Sequence, residues 1–461
     1  MLVPKAHTGS ERALGRPRKA TPRRASRRST SWIGRSLIRL IGEGRAPGSA
    51  NGWPPGAGMK RASTMKILMV FDGDYPWDVR IEKVTRSLMG GGHEVLLVCR
   101  NKSGAAPRHE RLNDGLRIER VPAWGPAALS LPIFLSPLWI YAIRVAARRF
   151  RPDLVLARDL PMAPLAVDVA RAHKIPVVAD LAEPYPDSLR SIYQFNNPSF
   201  VDRLVRNPKL ADWVERAVVR RIDEAIVVCP EAQSRLERIG LPTGRCTVVR
   251  NTPDTESLVR TGQTVPVLAE WREKFVILFS GLLAGDRGLD TAIQAMQYLE
   301  KKRPGRFRLL IVGDGPVQEA LEAQTHQLKL SECIRFLGRV PYGELADIIA
   351  GCSLGILPFR QCPHIDASLA NKLFEYMSLG LPVVASDVPP HRRVIEDAGN
   401  GVLSPAGDAE ELSQAILHCD ENPEQLAAYA QAGLQGVRNG YSWDHDSRRL
   451  QELIQRFAVE G

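Results

Sequence analysis

Cysteine pairs, histidine clusters and long apolar runs are all missing from this 461-residue chain. Seven cysteines stand apart at Cys99, Cys229, Cys246, Cys333, Cys352, Cys362 and Cys419, and none forms a C-x-x-C pair. An odd, scattered set argues against a disulfide framework and against a zinc site, and makes a reducing, cytoplasmic compartment the expectation. There is no nucleophile elbow and no Walker loop. The N-terminal stretch has no signal-peptide apolar region; its apolar residues are confined to a few around Leu37–Ile41. The fifteen uncharged residues at 129–143, LSLPIFLSPLWIYAI, are too few to span a bilayer comfortably, and Pro132 and Pro137 interrupt them. They read as a core or domain-edge helix, with peripheral contact at the inner membrane face as the alternative.

Excess charge is also missing from the body of the chain. The net charge is +11, but residues 1–64 hold 14 Lys/Arg against 2 Asp/Glu, so the remainder is close to neutral. A nucleic-acid-binding domain carries its basic patch on the fold itself, so nucleic acid is not an expected partner. The first 64 residues are rich in Arg, Pro, Ser and Gly and read as a disordered basic leader. Met65-Lys66-Ile67-Leu68-Met69-Val70 then reads as an opening strand, with Met65 the expected working start of the protein.

From there short, continuous apolar runs alternate with helix-period segments. Strands are expected at Lys66–Phe71, His93–Cys99, Arg117–Val121, Asp153–Ala157, Pro176–Asp180 and Glu224–Val228. The same grammar repeats at Phe275–Ser280, Leu309–Val312, Ile334–Leu337, Leu354–Leu357, Pro382–Ser386 and Gly401–Leu403. Runs of this kind are strands buried on both faces of a parallel sheet. The pattern predicts an α/β chain of two Rossmann-like, doubly wound domains. The first is expected at 65–255 and the second at 256–440, with a closing helix at 441–461.

Several segments carry chemistry. In Ser368–Ile395, SLANKLFEYMSLGLPVVASDVPPHRRVI, Lys372 falls in the first turn of a helix and Glu375 three residues later on the same face. A helix N-terminus favours a diphosphate, and a carboxylate can accept two hydrogen bonds from the vicinal hydroxyls of a ribose. Gly281 and Gly285 follow a strand and permit close backbone approach, and Arg287 adds a phosphate-matching fork. Gly313-Asp314-Gly315-Pro316 reads as a tight turn. Asp72-Gly73-Asp74 reads as an acidic loop rather than a metal pair.

These segments, in this order, resemble the family 4 glycosyltransferases of GT-B fold, which implies two domains facing each other across a cleft. The resembling pieces include MKILMVFDGDYPWDVRIEKVTRSLMGGGHEVLLV, RPDLVLARD, VVADLAEPYP, VVRNTPD, FSGLLAGDRGLDTAIQA, LLIVGDGP, FLGRV and YSWDHDSRRL. The resemblance covers residues 65–458, and the Lys-x-Phe-Glu-Tyr-Met helix resembles one branch. It implies a retaining transfer from a nucleotide diphosphate sugar, without metal and without a bound cofactor. It implies donor contacts at Gly281, Arg287, Gly338, Asp366, Lys372 and Glu375. Arg287 and Lys372 would stabilise the leaving diphosphate, and Asp180 or Glu183 would orient the acceptor. The chain departs from the family where Leu282 replaces an Arg, Arg287 a Lys, Ala367 a Glu and Ala182 a His. The sugar, base and acceptor are open, a lipid-linked glycan among them. A nucleotide-sugar epimerase and a non-catalytic binding protein of the same fold are the alternatives.

Overall fold

The computed structural model describes residues 64–460, apart from 77, 103, 123–132, 196–205, 256 and 257. All of the basic leader but Thr64, and residues 129–132 of the uncharged stretch, lie outside this set.

Two sheets carry the fold. The first contains β1 (Lys66–Asp74), β2 (Glu94–Asn101), β3 (His109–Arg111), β4 (Arg117–Pro122), β5 (Leu154–Arg158), β6 (Val177–Asp180), β7 (Glu224–Val227) and β8 (Cys246–Val248). Their spatial order is β3-β4-β2-β1-β5-β6-β7-β8, parallel throughout except that β3 runs antiparallel to β4. The second contains β9 (Phe275–Ser280), β10 (Phe307–Val312), β11 (Ile334–Gly338), β12 (Leu354–Leu357), β13 (Val383–Ser386) and β14 (Gly401–Ser404). It is parallel, in the order β11-β10-β9-β12-β13-β14. Strand order reverses between β1 and β5 in one sheet and between β9 and β12 in the other. Ligands of doubly wound sheets bind at such reversals, beyond the carboxyl ends of the strands.

Burial explains why these runs are strands. All of β5, β6, β7, β9, β12 and β13 is buried, as helices on both faces of a parallel sheet require. The twelve expected strands are present with ends shifted by at most three residues. Two others, β3 and β8, carry no apolar run: each has three residues at a sheet edge, and neither is fully buried.

The C-terminal helix Trp443–Glu460 packs back onto the first domain. Leu450, Leu453 and Ile454 join Met65, Ile67 and Ile81 in one buried cluster. Trp443 Nε1 donates to Ser87 Oγ over 3.0 Å, and Asp446 accepts from Thr252 Oγ1 over 2.7 Å. Within the uncharged stretch, Pro137 opens the helix Pro137–Phe150, which buries Trp139 and Ile143 and exposes Tyr141. No described helix is long and apolar enough to cross a membrane.

Candidate active site

The second domain gathers most of the expected donor residues at its strand reversal. Gly281 leaves β9 with φ +145°, and a Cβ there would lie 3.7 Å from Lys372 Cε. Gly313, φ +128°, packs so closely that a Cβ would fall 1.9 Å from the Gly281 carbonyl oxygen. The Gly313 amide donates to the Gly338 carbonyl over 2.7 Å. The strand ends at Gly281, Gly313 and Gly338 are thus held together through backbone contacts, and Gly281 presents its bare backbone to the Lys372 side chain.

Lys372 and Glu375 lie on the helix Asn371–Ser378, whose N-cap residue, Ala370, gives no side-chain hydrogen bond. The Leu373 amide donates to the Ala370 carbonyl over 3.1 Å, and no side chain caps the amides before it, the arrangement that favours a phosphate. Lys372 Nζ is 2.9 Å from Glu375 Oε2, and Glu375 is buried. Tyr376 fixes the helix against β9: its hydroxyl accepts from the Ser280 amide over 2.9 Å. Gly355 makes room for that ring, since a Cβ there would sit 2.5 Å from Tyr376 Cδ2.

Arg287 closes a short turn, Gly285–Arg287. Its guanidinium stacks 4.7 Å above Phe359, and its Nε is 3.5 Å from Asp286 Oδ1. Asp286 joins the two domains. Its carboxylate accepts from Ser191 Oγ over 3.0 Å, on the first-domain helix Tyr185–Phe195, and lies 3.1 Å from His364 Nδ1. Burial opposes its ionisation, but Arg287, His364 and Ser191 hold the carboxyl well below the usual range. Asp366 ends the turn Pro363–Asp366, and its Oδ1 is buried without a hydrogen-bond partner. Burial raises its pKa.

In the first domain the expected acceptor residues sit at the matching strand ends. Asp180 closes β6 and is bound at both oxygens by Arg80, from Nη2 over 2.7 Å and Nε over 2.8 Å. Arg80 also donates to the carbonyls of Val249 and Arg250, tying this pair to the crossover between the domains. Asp180 is therefore an anchored carboxylate: burial opposes its ionisation, but Arg80 and Arg158 outweigh that and leave its pKa lowered. Glu183, three residues past β6, is exposed.

Sequence reasoning passed over Asp159, which directly follows β5. Its backbone has φ 66° and ψ 156°, a region that essentially only glycine occupies. About a third of its side chain meets solvent, yet crowding by burial, opposed by Arg158 and reinforced by Glu183, Asp180 and Asp78, pushes its pKa up to about 7. The signal was an Arg-Asp pair ending an otherwise apolar run. Asp72 and Asp74 are both engaged, by Arg100 and by the Lys102 amide. Among the described residues no three His, Cys, Asp or Glu side chains are grouped to hold a metal ion.

Comparison with known proteins agrees with this arrangement. Residues 265–435 match the family model described as glycosyl transferases group 1, and residues 78–252 match that of the glycosyl transferase 4-like domain. The chain belongs to the GT-B glycosyltransferases of the family 4-like kind. It is 24% identical over 404 residues to a glycogen synthase of Mycobacterium tuberculosis, covering 82% of this chain and 92% of that one. It is 34% identical over 155 residues to a phosphatidyl-myo-inositol mannosyltransferase of Mycobacterium leprae, 33% of this chain and 39% of that one. Among solved structures, a sucrose-phosphate synthase from Thermosynechococcus elongatus superposes with a TM-score of 0.71 at 16% identity, over 86% of this chain and all of that one.

Proposed function

We propose that the protein transfers a sugar, with retention and without metal, from a nucleotide diphosphate sugar to an acceptor held on the first domain. The observation that carries this reading is the approach of Lys372 to the bare strand end at Gly281, which Gly313 packs against in turn. The diphosphate lies between that backbone and the amides opening the Asn371–Ser378 helix. Lys372 and Arg287 supply the positive charge that a metal provides elsewhere, and it acts most strongly as the bond from C1 to the phosphate oxygen breaks. Glu375 accepts from the ribose hydroxyls and Asp366 from a sugar hydroxyl. The acceptor oxygen attacks C1 from the side the diphosphate leaves, and its proton passes to the departing phosphate oxygen. Asp159 accepts a hydrogen bond from the attacking hydroxyl and orients it. Asp180 acts one step removed, by fixing Arg80 and the crossover.

An acceptor borne on a lipid headgroup accounts for a second feature. Leu135, just before the helix Pro137–Phe150, and Tyr141 on it are exposed, and Arg144 and Arg148 follow on the exposed side of that helix. An apolar end followed by arginines suits peripheral contact with an anionic bilayer from the cytoplasmic side, as the name of the mannosyltransferase relative also favours. The test is turnover of radiolabelled UDP-, GDP- and ADP-sugars with lipid-extract acceptors, with and without EDTA. Product from one donor, unaffected by EDTA and with the donor's anomeric configuration, supports the reading. Binding without product, or loss of product with EDTA, contradicts it.

A further inference from the structure

A cavity of about 420 Å³ lies beside the crossover between the domains, apart from the Lys372 and Asp159 sites. Cys246 and Thr247 of β8 and Pro230 at the start of the helix Pro230–Arg238 form its first-domain wall. Arg393, from the helix Pro389–Ala398, comes from the second domain. Arg449 comes from the terminal helix, and Arg250 stands on the crossover itself.

Three guanidinium groups thus line one space, and their partners do not neutralise them. Arg250 Nε and Arg449 Nη1 share a single carboxylate oxygen, Asp446 Oδ1, at 3.2 and 3.1 Å. Arg393 is paired with Glu231 over 2.8 Å. Two carboxylates against three arginines leave one positive charge over. Arg250 is buried, held by the Gly440 carbonyl at 2.7 Å and by the Tyr441 ring 4.7 Å away, so its charge cannot swing out to water. The volume falls within the range of small-molecule sites, roughly 300–1,000 Å³.

We propose that this cavity binds a small phosphate ester that bridges the two domains. Guanidinium forks match phosphate oxygens in geometry and charge, and a dianion supplies the charge that Asp446 and Glu231 leave uncompensated. The walls belong to both domains and to the helix that crosses back. The ester therefore binds best to the arrangement that brings Arg393 to Glu231, and occupancy shifts the equilibrium of domain closure toward it. The site controls the transferase from outside its chemistry.

The test is calorimetric titration of glucose 6-phosphate, inorganic phosphate and citrate into the full chain and into its Lys372→Ala variant. Lys372→Ala disables the diphosphate site only, so failure of the donor-site reading and failure of this one are told apart. Saturable binding of glucose 6-phosphate to both proteins is expected. Arg449→Gln should weaken it about tenfold or more, by the loss of one charge-assisted contact, with nucleotide affinity unchanged. Arg393→Gln should act alike. Should that variant not fold, Arg449→Gln decides alone, because Arg449 is half exposed. Arg303→Gln, at a distant surface pair, should change nothing. No saturable binding below about 10 mM, a preference for citrate, or binding untouched by Arg449→Gln overturns the proposal.

Discussion

Arg80 and Asp180 meet 2.7 Å apart, both almost wholly removed from water, and Arg80 carries the contact on to the carbonyls of Val249 and Arg250. A residue of the first helix and one at the end of β6 thereby grip the segment that leads into the second domain. Removing one partner of a buried pair strands the other charge. Asp180→Ala should therefore lower unfolding stability by about 3–5 kcal/mol. The pair also sets an acid limb. Because the folded pKa is lowered, its stabilisation is complete above about pH 4, the unfolded carboxyl value, and fades as pH falls through the folded value. Urea midpoints between pH 3 and pH 7 (an interval chosen to bracket about pH 4) should show this limb flattened in Asp180→Asn. Equal acid limbs in both proteins would count against the assignment.

Asp159 has the opposite sign. Its carboxyl is pushed up to about 7, so the native state holds a proton that the unfolded chain releases near pH 4. Its contribution to stability falls as pH rises from about 4 to 7. Asp159→Gly removes that burden and relieves a backbone strain of about 1–3 kcal/mol, but it also takes a carboxylate partner from the buried Arg158 guanidinium. Turnover should drop about tenfold or more, through loss of the charged acceptor for the attacking hydroxyl. In the parent, kcat/KM should rise with pH to a plateau above about 7, and that limb should vanish in Asp159→Asn. A folded variant as active as the parent would leave Asp159 with no part in the reaction.

Much of the fold could be read ahead of the structure, for a physical reason. Strands such as Phe275–Ser280 are buried on both faces, so every residue must be apolar or small and the run announces itself. At an edge that constraint lapses, which is why Cys246–Val248 and His109–Arg111 left no mark. Lys372 and Glu375 were legible because one helix turn sets their spacing. Asp159 was not, because its distinction lies in backbone torsion and in carboxylates brought to it from Asp78, Asp180 and Glu183, all distant in sequence. The role of Arg80 was hidden likewise, its partner lying a hundred residues away.

The exposed side chains Leu135, Tyr141, Arg144 and Arg148 bear on where the protein works. Vesicles containing anionic lipid should sediment the protein at low salt, and neutral vesicles should not. Tyr141→Glu combined with Arg148→Glu should abolish sedimentation and leave turnover of a water-soluble acceptor unchanged. Carbonate washing of membranes should release the parent protein; recovery only in detergent would contradict peripheral contact.

The donor site at Lys372 and Glu375 is tested most directly by isothermal titration of the matching nucleotide diphosphate, beside turnover of its sugar donor. Glu375→Ala deprives the ribose hydroxyls of a charged acceptor and should weaken nucleotide binding roughly tenfold to a hundredfold. Lys372→Ala should weaken binding as well, and should lower turnover further, because charge on the diphosphate grows as the bond breaks. Combining Lys372→Ala with Arg287→Ala should be worse than either change alone. Folded Glu375→Ala and Lys372→Ala proteins that bind the nucleotide and turn over like the parent would contradict the account and reduce the 2.9 Å Lys372–Glu375 contact to an ordinary helix ion pair.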